Sequence, residues 1–319
     1  MSISPTETRP FAKIAELKED LPGPPQAPGQ ARWRLYLALL LVYVIWGSTY
    51  LAIRWAVRGI PPLTMAGVRF LLAGALLYLF LRVRGEPNPE RAQWRGAFLV
   101  GTLLVGGNAG VACAEQWVSS GVAALAVAAV PLWVALFSGF LGQWPARREW
   151  SGLGLGSFGI GLLNLESHLR ANPVGAAALL IGVLSWSWGS AWGRRLSLPP
   201  GLMASAAEMV TGGAVLLLLG LLRGERMHGL PGEPSLLSLL YLIGFGSLLA
   251  FSAYDCLLRH ARPALATSYA FANPVIAVML GAVLAGEKIT PLALVALCVI
   301  LAGVGAIAWS RQTRRPRPE

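Results

Sequence analysis

Tyr43, Trp46 and Tyr50 follow one another at i, i+3 and i+7, which sets three rings on one face of a helix. Ser185, Trp188 and Trp192 repeat that spacing further along the chain. A surface built of such rings suits planar, apolar or cationic solutes, through stacking and cation–π attraction. Core packing between helices competes as an explanation for each ring taken singly. As a matched pair of triplets they point to the wall of a cavity. Trp46 and Trp133 both fall well inside apolar runs, so a belt of tryptophans at a lipid–water boundary explains neither. That belt does account for Trp33, Trp55, Trp94, Trp144, Trp150 and Trp309, which stand at the ends of such runs.

Ionisable groups inside apolar runs are costly, about 2.5–3.5 kcal/mol each at the centre of a membrane helix, and so face a cavity or a partner. Glu115 is seven residues from Asn108 and shares its helix face. It reads either as a site for a proton or a substrate ammonium, or as a carboxylate solvated at an outer mouth. Asp255 has Arg259 at i+4, the spacing of an intrahelical ion pair. Glu208 and Arg69 occupy nearly equivalent places in two halves of the chain and read as packing anchors in peripheral helices. Pro131 and Pro274 also lie at matched places, each inside a helical run, where proline removes a backbone hydrogen bond and frees a carbonyl. Tyr269 and Asn273, four residues apart, put polar groups beside the second kink, and paired kinks fit a gating role.

Enzyme signatures are missing from the sequence. His168, His228 and His260 belong to no HExxH, no serine sits in GxSxG, and no paired catalytic carboxylates occur. Cys113, Cys256 and Cys298 form neither a disulfide framework nor a zinc spacing. No cofactor or metal is expected. The run Gly154-x-Gly156-x-x-Gly159 matches a dinucleotide fingerprint only formally, since no strand precedes it. Gly152 and Gly156 form instead a GxxxG pair, which lets helices approach closely.

The elements that must carry these residues are membrane spans. Of 319 residues, 55% are hydrophobic and 13% charged, with mean hydropathy +0.59; a soluble domain has roughly 25% charged residues. A helix of about 20 residues crosses the hydrocarbon core, and apolar runs of that order recur throughout. They are predicted at 34–55, 62–82, 96–116, 121–141, 149–165, 173–193, 202–222, 235–257, 264–284 and 290–309, an all-α chain of ten spans. Punctuation between them includes Pro61-Pro62, Gly85-Glu86-Pro87, Pro145, Asn172-Pro173, Pro199-Pro200-Gly201, Pro231-Gly232 and Thr290-Pro291. The net charge of +11 does not imply nucleic acid, because Lys and Arg cluster in short loops. With a cytoplasmic amino terminus, nineteen of the 26 fall on the inside and six outside, which places both termini in the cytoplasm. Residues 1–33, rich in proline and charge, read as a disordered cytoplasmic tail, and 310–319 as a short basic one.

Residues 34–165 and 173–309 also repeat one another. Trp46-Gly47-Ser48 recurs as Trp188-Gly189-Ser190, Pro61-Pro62-Leu63-Thr64-Met65-Ala66 as Pro199-Pro200-Gly201-Leu202-Met203-Ala204, Arg84-Gly85-Glu86 as Arg223-Gly224-Glu225, and Val130-Pro131 as Asn273-Pro274. Each half holds five spans, so the second inserts upside down relative to the first. Inverted halves are a design of secondary transporters, with the solute near the midplane between them.

These stretches resemble the drug/metabolite transporter superfamily, specifically its EamA-type exporters and among them the YedA-like branch. Residues 46–74, WGSTYLAIRWAVRGIPPLTMAGVRFLLAG, look like the family's first two helices, and 264–307 like the closing helices of its second repeat. The first repeat departs from the pattern, with Gln143-Trp144 where a Gly-Glu pair is common; Gly286-Glu287 keeps it in the second. The resemblance implies ten helices, an inner-membrane location, and alternating-access export of metabolites or drugs, but no particular solute. Amino-acid-like, aromatic or amphipathic solutes suit the rings, and protons are a candidate coupling ion. The oligomeric state stays open, a homodimer included. The competing function is an intramembrane enzyme acting on a lipid or isoprenoid.

Overall fold

A computed structural model describes residues 30–118, 120–166, 172–227, 229–285 and 291–309, and every regular element among them is a helix. The amino-terminal tail through residue 29, His168, Arg170, His228, Gly286-Glu287, Lys288 and the basic carboxy-terminal tail lie outside the described residues. Among the described residues, six helices are long and apolar enough to cross a membrane: Trp33–Ala56, Pro62–Val83, Arg91–Ala114, Pro173–Arg195, Leu202–Leu222 and Glu233–His260. Val130–Phe140 and Leu294–Ile307 are shorter apolar helices.

In chain order the helices are α1 (Gln30–Ala56), α2 (Pro62–Val83), α3 (Arg91–Ala114), α4 (Ser120–Val127), α5 (Val130–Phe140), α6 (Arg147–Glu166) and α7 (Pro173–Trp192). Then follow α8 (Leu202–Leu222), α9 (Glu233–Tyr241), a π-helical segment Leu242–Leu249, α10 (Ala250–His260), α11 (Pro263–Ala266), α12 (Tyr269–Ala285) and α13 (Pro291–Trp309).

The loop chemistry fixes where these helices begin and stop. Proline occupies the first turn of α2, where a missing N–H costs nothing. Asn172 caps α7 by accepting from the Val174 amide at 2.8 Å. The repeated Arg-Gly-Glu motifs form the same turn twice. Gly85 and Gly224 take φ of +87° and +74°, values that favour glycine. The Glu86 amide then donates to the Leu81 carbonyl and the Glu225 amide to the Gly220 carbonyl, closing Schellman caps on α2 and α8.

Between lipid-solvated helices there is little hydrophobic force, so close packing through small residues does the holding. The α2–α8 pair meets at Gly74 and Gly213, where a methyl would sit 2.6 Å from the Val210 amide nitrogen and 2.5 Å from that of Leu71. The α6–α13 pair meets at Gly152, Gly156 and Gly303, and a methyl on Gly303 would sit 2.6 Å from the Gly156 nitrogen. Helix α3 lies on α7 through Gly107, Gly110 and Gly182. Helix α1 packs against α9, α10 and α12. Leu72, Leu76 and Leu79 of α2 and Leu218, Leu219, Leu221 and Leu222 of α8 point outward, the faces a bilayer covers.

One expectation changes in detail. Pro131 does not kink a continuous helix: the chain turns at Ala128-Ala129, and Pro131 lies in the first turn of α5, where its absent N–H has no intrahelical acceptor to lose. Pro274 does lie inside α12. There the interruption is at Thr267-Ser268, whose hydroxyls donate to the carbonyls of Pro263 at 2.9 Å and Leu265 at 2.7 Å.

Candidate functional site

A cavity of about 50 Å³ sits where α1, α3, α7 and α12 converge. Trp46, Thr49 and Tyr50 come from α1, Asn108 from α3, Trp186 from α7, and Tyr269 and Asn273 from α12. Gly107 and Gly182 add backbone to its wall, since the close α3–α7 crossing leaves no room for side chains there.

One end of the cavity is a cluster of rings. The Trp46 ring centroid lies 5.3 Å from Trp186, 5.0 Å from Tyr254 and 4.7 Å from Tyr269. Several contacts are edge-on, the arrangement that ring quadrupoles favour. Both indole N–H groups and the Tyr254 hydroxyl of this cluster are hydrogen-bonded. Trp46 Nε1 donates to the Gly246 carbonyl at 3.1 Å, Trp186 Nε1 to Tyr254 Oη at 3.2 Å, and Ser190 Oγ lies 2.7 Å from Tyr254 Oη. Away from the ring cluster, Thr49, Asn108 and the Tyr50–Asn273 pair bring polar groups to the cavity. Asn273 Nδ2 reaches Tyr50 Oη at 3.5 Å, a weak contact. Asn273 Oδ1 is buried and has no partner among the described residues.

Five of the residues singled out from sequence line this cavity: Trp46, Tyr50, Asn108, Tyr269 and Asn273. Tyr43 lies a turn away on α1, its hydroxyl 2.6 Å from Ser268 Oγ. The α7 triplet is elsewhere. Ser185 donates to the Leu103 carbonyl at 2.8 Å. Trp188 packs edge-on against Phe137 at 5.1 Å and beside Trp192 at 6.1 Å, and Trp133 joins them through Phe137. Two residues along a helix is a 200° rotation, so Trp186 and Trp188 face opposite ways. The face that meets the cavity and its ring cluster carries Gly182, Trp186 and Ser190, spaced by four. The sequence carries that stripe as small or aromatic residues at i, i+4 and i+8, whereas the repeated Trp-Gly-Ser triplet marks Trp188.

Arg69 differs from its expected place. It is not a peripheral anchor: it is 1% exposed, and Nη1 donates to Asn108 Oδ1 at 3.1 Å while Nε donates to Ser247 Oγ at 2.8 Å. Glu115 follows the last residue of α3, 5% exposed, with both carboxyl oxygens lacking a hydrogen-bond partner among the described residues. Asp255 and Arg259 form the i, i+4 ion pair at 2.9 Å, and Glu208 is fully buried nearby on α8.

Apolar helices packed around a ring-walled cavity define a membrane protein with an internal site. The chain belongs to the EamA-like transporter family, whose description matches it twice, over residues 33–165 and 173–309. It is 47% identical over 286 residues, 89% of its length and 94% of the relative's, to an Escherichia coli K12 protein described as an uncharacterized inner membrane transporter, YedA. It is 24% identical over 294 residues, 88% of this chain and 96% of the relative, to a probable amino-acid metabolite efflux pump of Salmonella typhimurium. One solved crystal structure superposes with a TM-score of 0.71 at 20% identity, covering 86% of this chain and 98% of the other, a likeness of fold. The chain is therefore a membrane transporter.

Proposed function

We propose that this protein is a secondary exporter of small metabolites, working by alternating access between two inverted five-helix halves, residues 34–165 and 173–309. The observation that carries the reading is the cavity itself, which draws Trp46, Tyr50 and Asn108 from the first half and Trp186, Tyr269 and Asn273 from the second. A site shared by two halves changes its exposure when they rock against each other.

Helix pairing supports the inversion. If α1 corresponds to α7 and α3 to the α9–α10 span, the packing of α3 on α7 has its counterpart in α9 and α10 on α1. The packing of α2 on α8 and of α6 on α13 then lies on the pseudo-two-fold axis. Counting divided helices as single spans gives ten, with both termini in the cytoplasm by the distribution of Lys and Arg. Tyr50, Asn108, Tyr269 and Asn273 contact the solute, while Trp46 and Trp186 form the barrier beneath it. The interruptions beside Pro131 and Pro274 let α5 and α12 bend as the barrier opens. At about 50 Å³ the cavity holds water rather than a metabolite, so loading requires the helices to part. Glu115, buried with no hydrogen-bond partner among the described residues, is the group that takes and releases a proton to drive the cycle.

The test is flux. Purified protein in proteoliposomes accelerates the movement of some solute among a broad panel of amphipathic and aromatic metabolites. Rates equal to those of empty vesicles across the panel would overturn the proposal.

A further inference from the structure

We propose that the cavity takes a solute bearing a carboxylate, seated on the Asn108 amide with the Arg69 guanidinium behind it as its counter-charge. This rests on the exporter reading and names the substrate class for that same site.

The starting point is an unbalanced charge. Arg69 is 1% exposed in the interior of a membrane bundle, and among the described residues no carboxylate lies within ion-pair distance of it. The ion pairs found among the described residues, Arg259–Asp255 and Arg262–Glu149, engage other arginines. A buried cation is tolerated when an opposite charge accompanies it. The partners of Arg69 are Asn108 Oδ1 and Ser247 Oγ, which supply hydrogen bonds, and the Phe70 ring, whose centroid lies 4.6 Å from the guanidinium carbon; none of them carries a charge.

The guanidinium also dictates what the cavity presents. Arginine only donates, so the Asn108 amide must turn its oxygen to Arg69, which leaves its Nδ2 hydrogens for the other side. Asn108 lines the cavity, with Arg69 directly behind it. A donor backed by a cation in a low-dielectric setting is a seat for an anion. One guanidinium balances one negative charge, which favours a carboxylate over a dianionic phosphate. The surrounding Trp46, Trp186 and Tyr269 rings call for an apolar or planar body attached to it.

The π-helical segment supplies the rest. Gly246 and Ser247 both fall within Leu242–Leu249, and π segments frequently occur at functional sites. Ser247 holds the Nε edge of Arg69, and a methyl on Gly246 would sit 2.9 Å from Nη2, so the glycine makes room for the guanidinium.

The experiment compares extracellular metabolites of cells overproducing the full-length wild type, the full-length Asn108→Asp variant, or neither. Asn108→Asp places a carboxylate where the amide oxygen meets Arg69 and so gives the guanidinium an internal counter-ion. The proposal predicts that the wild type enriches carboxylate-bearing solutes in the medium. At equal membrane abundance, Asn108→Asp lowers that enrichment at least tenfold while thermal stability holds or rises. A purely structural Arg69 predicts unchanged export from a protein stabilised in this way. Solutes enriched by the wild type that lack a carboxylate overturn the proposal and leave the exporter reading standing; this arm needs no variant to fold. Carboxylate export unchanged in Asn108→Asp also overturns it. If the wild type enriches nothing over control cells, the exporter reading fails and takes the proposal with it.

Discussion

The indole nitrogen of Trp46 donates to the main-chain carbonyl of Gly246 at 3.1 Å, tying the middle of α1 to the π-helical segment that precedes α10. The carbonyl belongs to the π-helical stretch Leu242–Leu249, so the bond joins two long spans at their middles. Trp46→Phe keeps a ring and loses the donor. It is expected to cost about 0.5–1.5 kcal/mol, the net contribution of one hydrogen bond, read as a lower unfolding temperature in detergent. An unfolding temperature equal to that of the wild type would show that the bond carries no stability.

Trp186 and Trp188 separate the cavity from its surroundings by function. Trp186→Phe removes the 3.2 Å bond to Tyr254 and thins the ring cluster at the cavity, so transport is expected to fall several-fold at equal abundance. Trp188→Phe trims a ring that packs on Phe137, outside the cavity, and flux is expected to stay within about twofold, the scale of a tolerated change of packing. Solute flux in proteoliposomes distinguishes them, and the reverse order would assign the site to the other face of α7.

Glu115 has no hydrogen-bond partner among the described residues although it is 5% exposed. Glu115→Gln keeps its shape and removes the proton it can carry. Uphill transport driven by a pH gradient is expected to disappear, while exchange of labelled for unlabelled solute at equal pH persists. Intact pH-driven transport in the variant would remove Glu115 from the coupling mechanism.

The glycine contacts make a stability prediction with an internal control. A methyl on Gly101 would run into the Glu208 carbonyl oxygen across the α3–α8 crossing, whereas one on Gly154 meets nothing within 4 Å. Gly101→Ala is expected to destabilise by about 1–3 kcal/mol, as overpacking does. Gly154→Ala should be neutral or stabilising by up to about 1 kcal/mol through helix propensity. Unfolding temperatures of the two variants check the pair, and equal effects would mean that the α3–α8 crossing is not tight.

Much of the cavity was legible in the sequence because a polar or aromatic residue inside an apolar run has few explanations. Trp46, Tyr50, Asn108, Tyr269 and Asn273 were all found that way. The misses have physical causes. Trp186 escapes the match of Trp-Gly-Ser triplets because that match fixes a register along the chain and does not say which face of each helix meets the cavity. Arg69 looked peripheral because its hydrogen-bond partners lie 39 and 178 residues away. One of them, Ser247, is brought round by a π segment, whose wider turn shifts the phase of every later residue in a way that a 3.6-residue period does not anticipate. The division of the Pro131 helix two residues before the proline was hidden for a similar reason: Ala128-Ala129 carries no breaker of its own.

The account stands or falls on the opposed orientation of the two halves, from which the shared cavity and its alternating exposure follow. Reporters fused after Gly85 and after Gly224, the two glycines of the matched Arg-Gly-Glu caps, measure that orientation directly. The account predicts cytoplasmic activity for the fusion after Gly85 and activity on the opposite side of the membrane for the fusion after Gly224. Both reporters active on one side would contradict it.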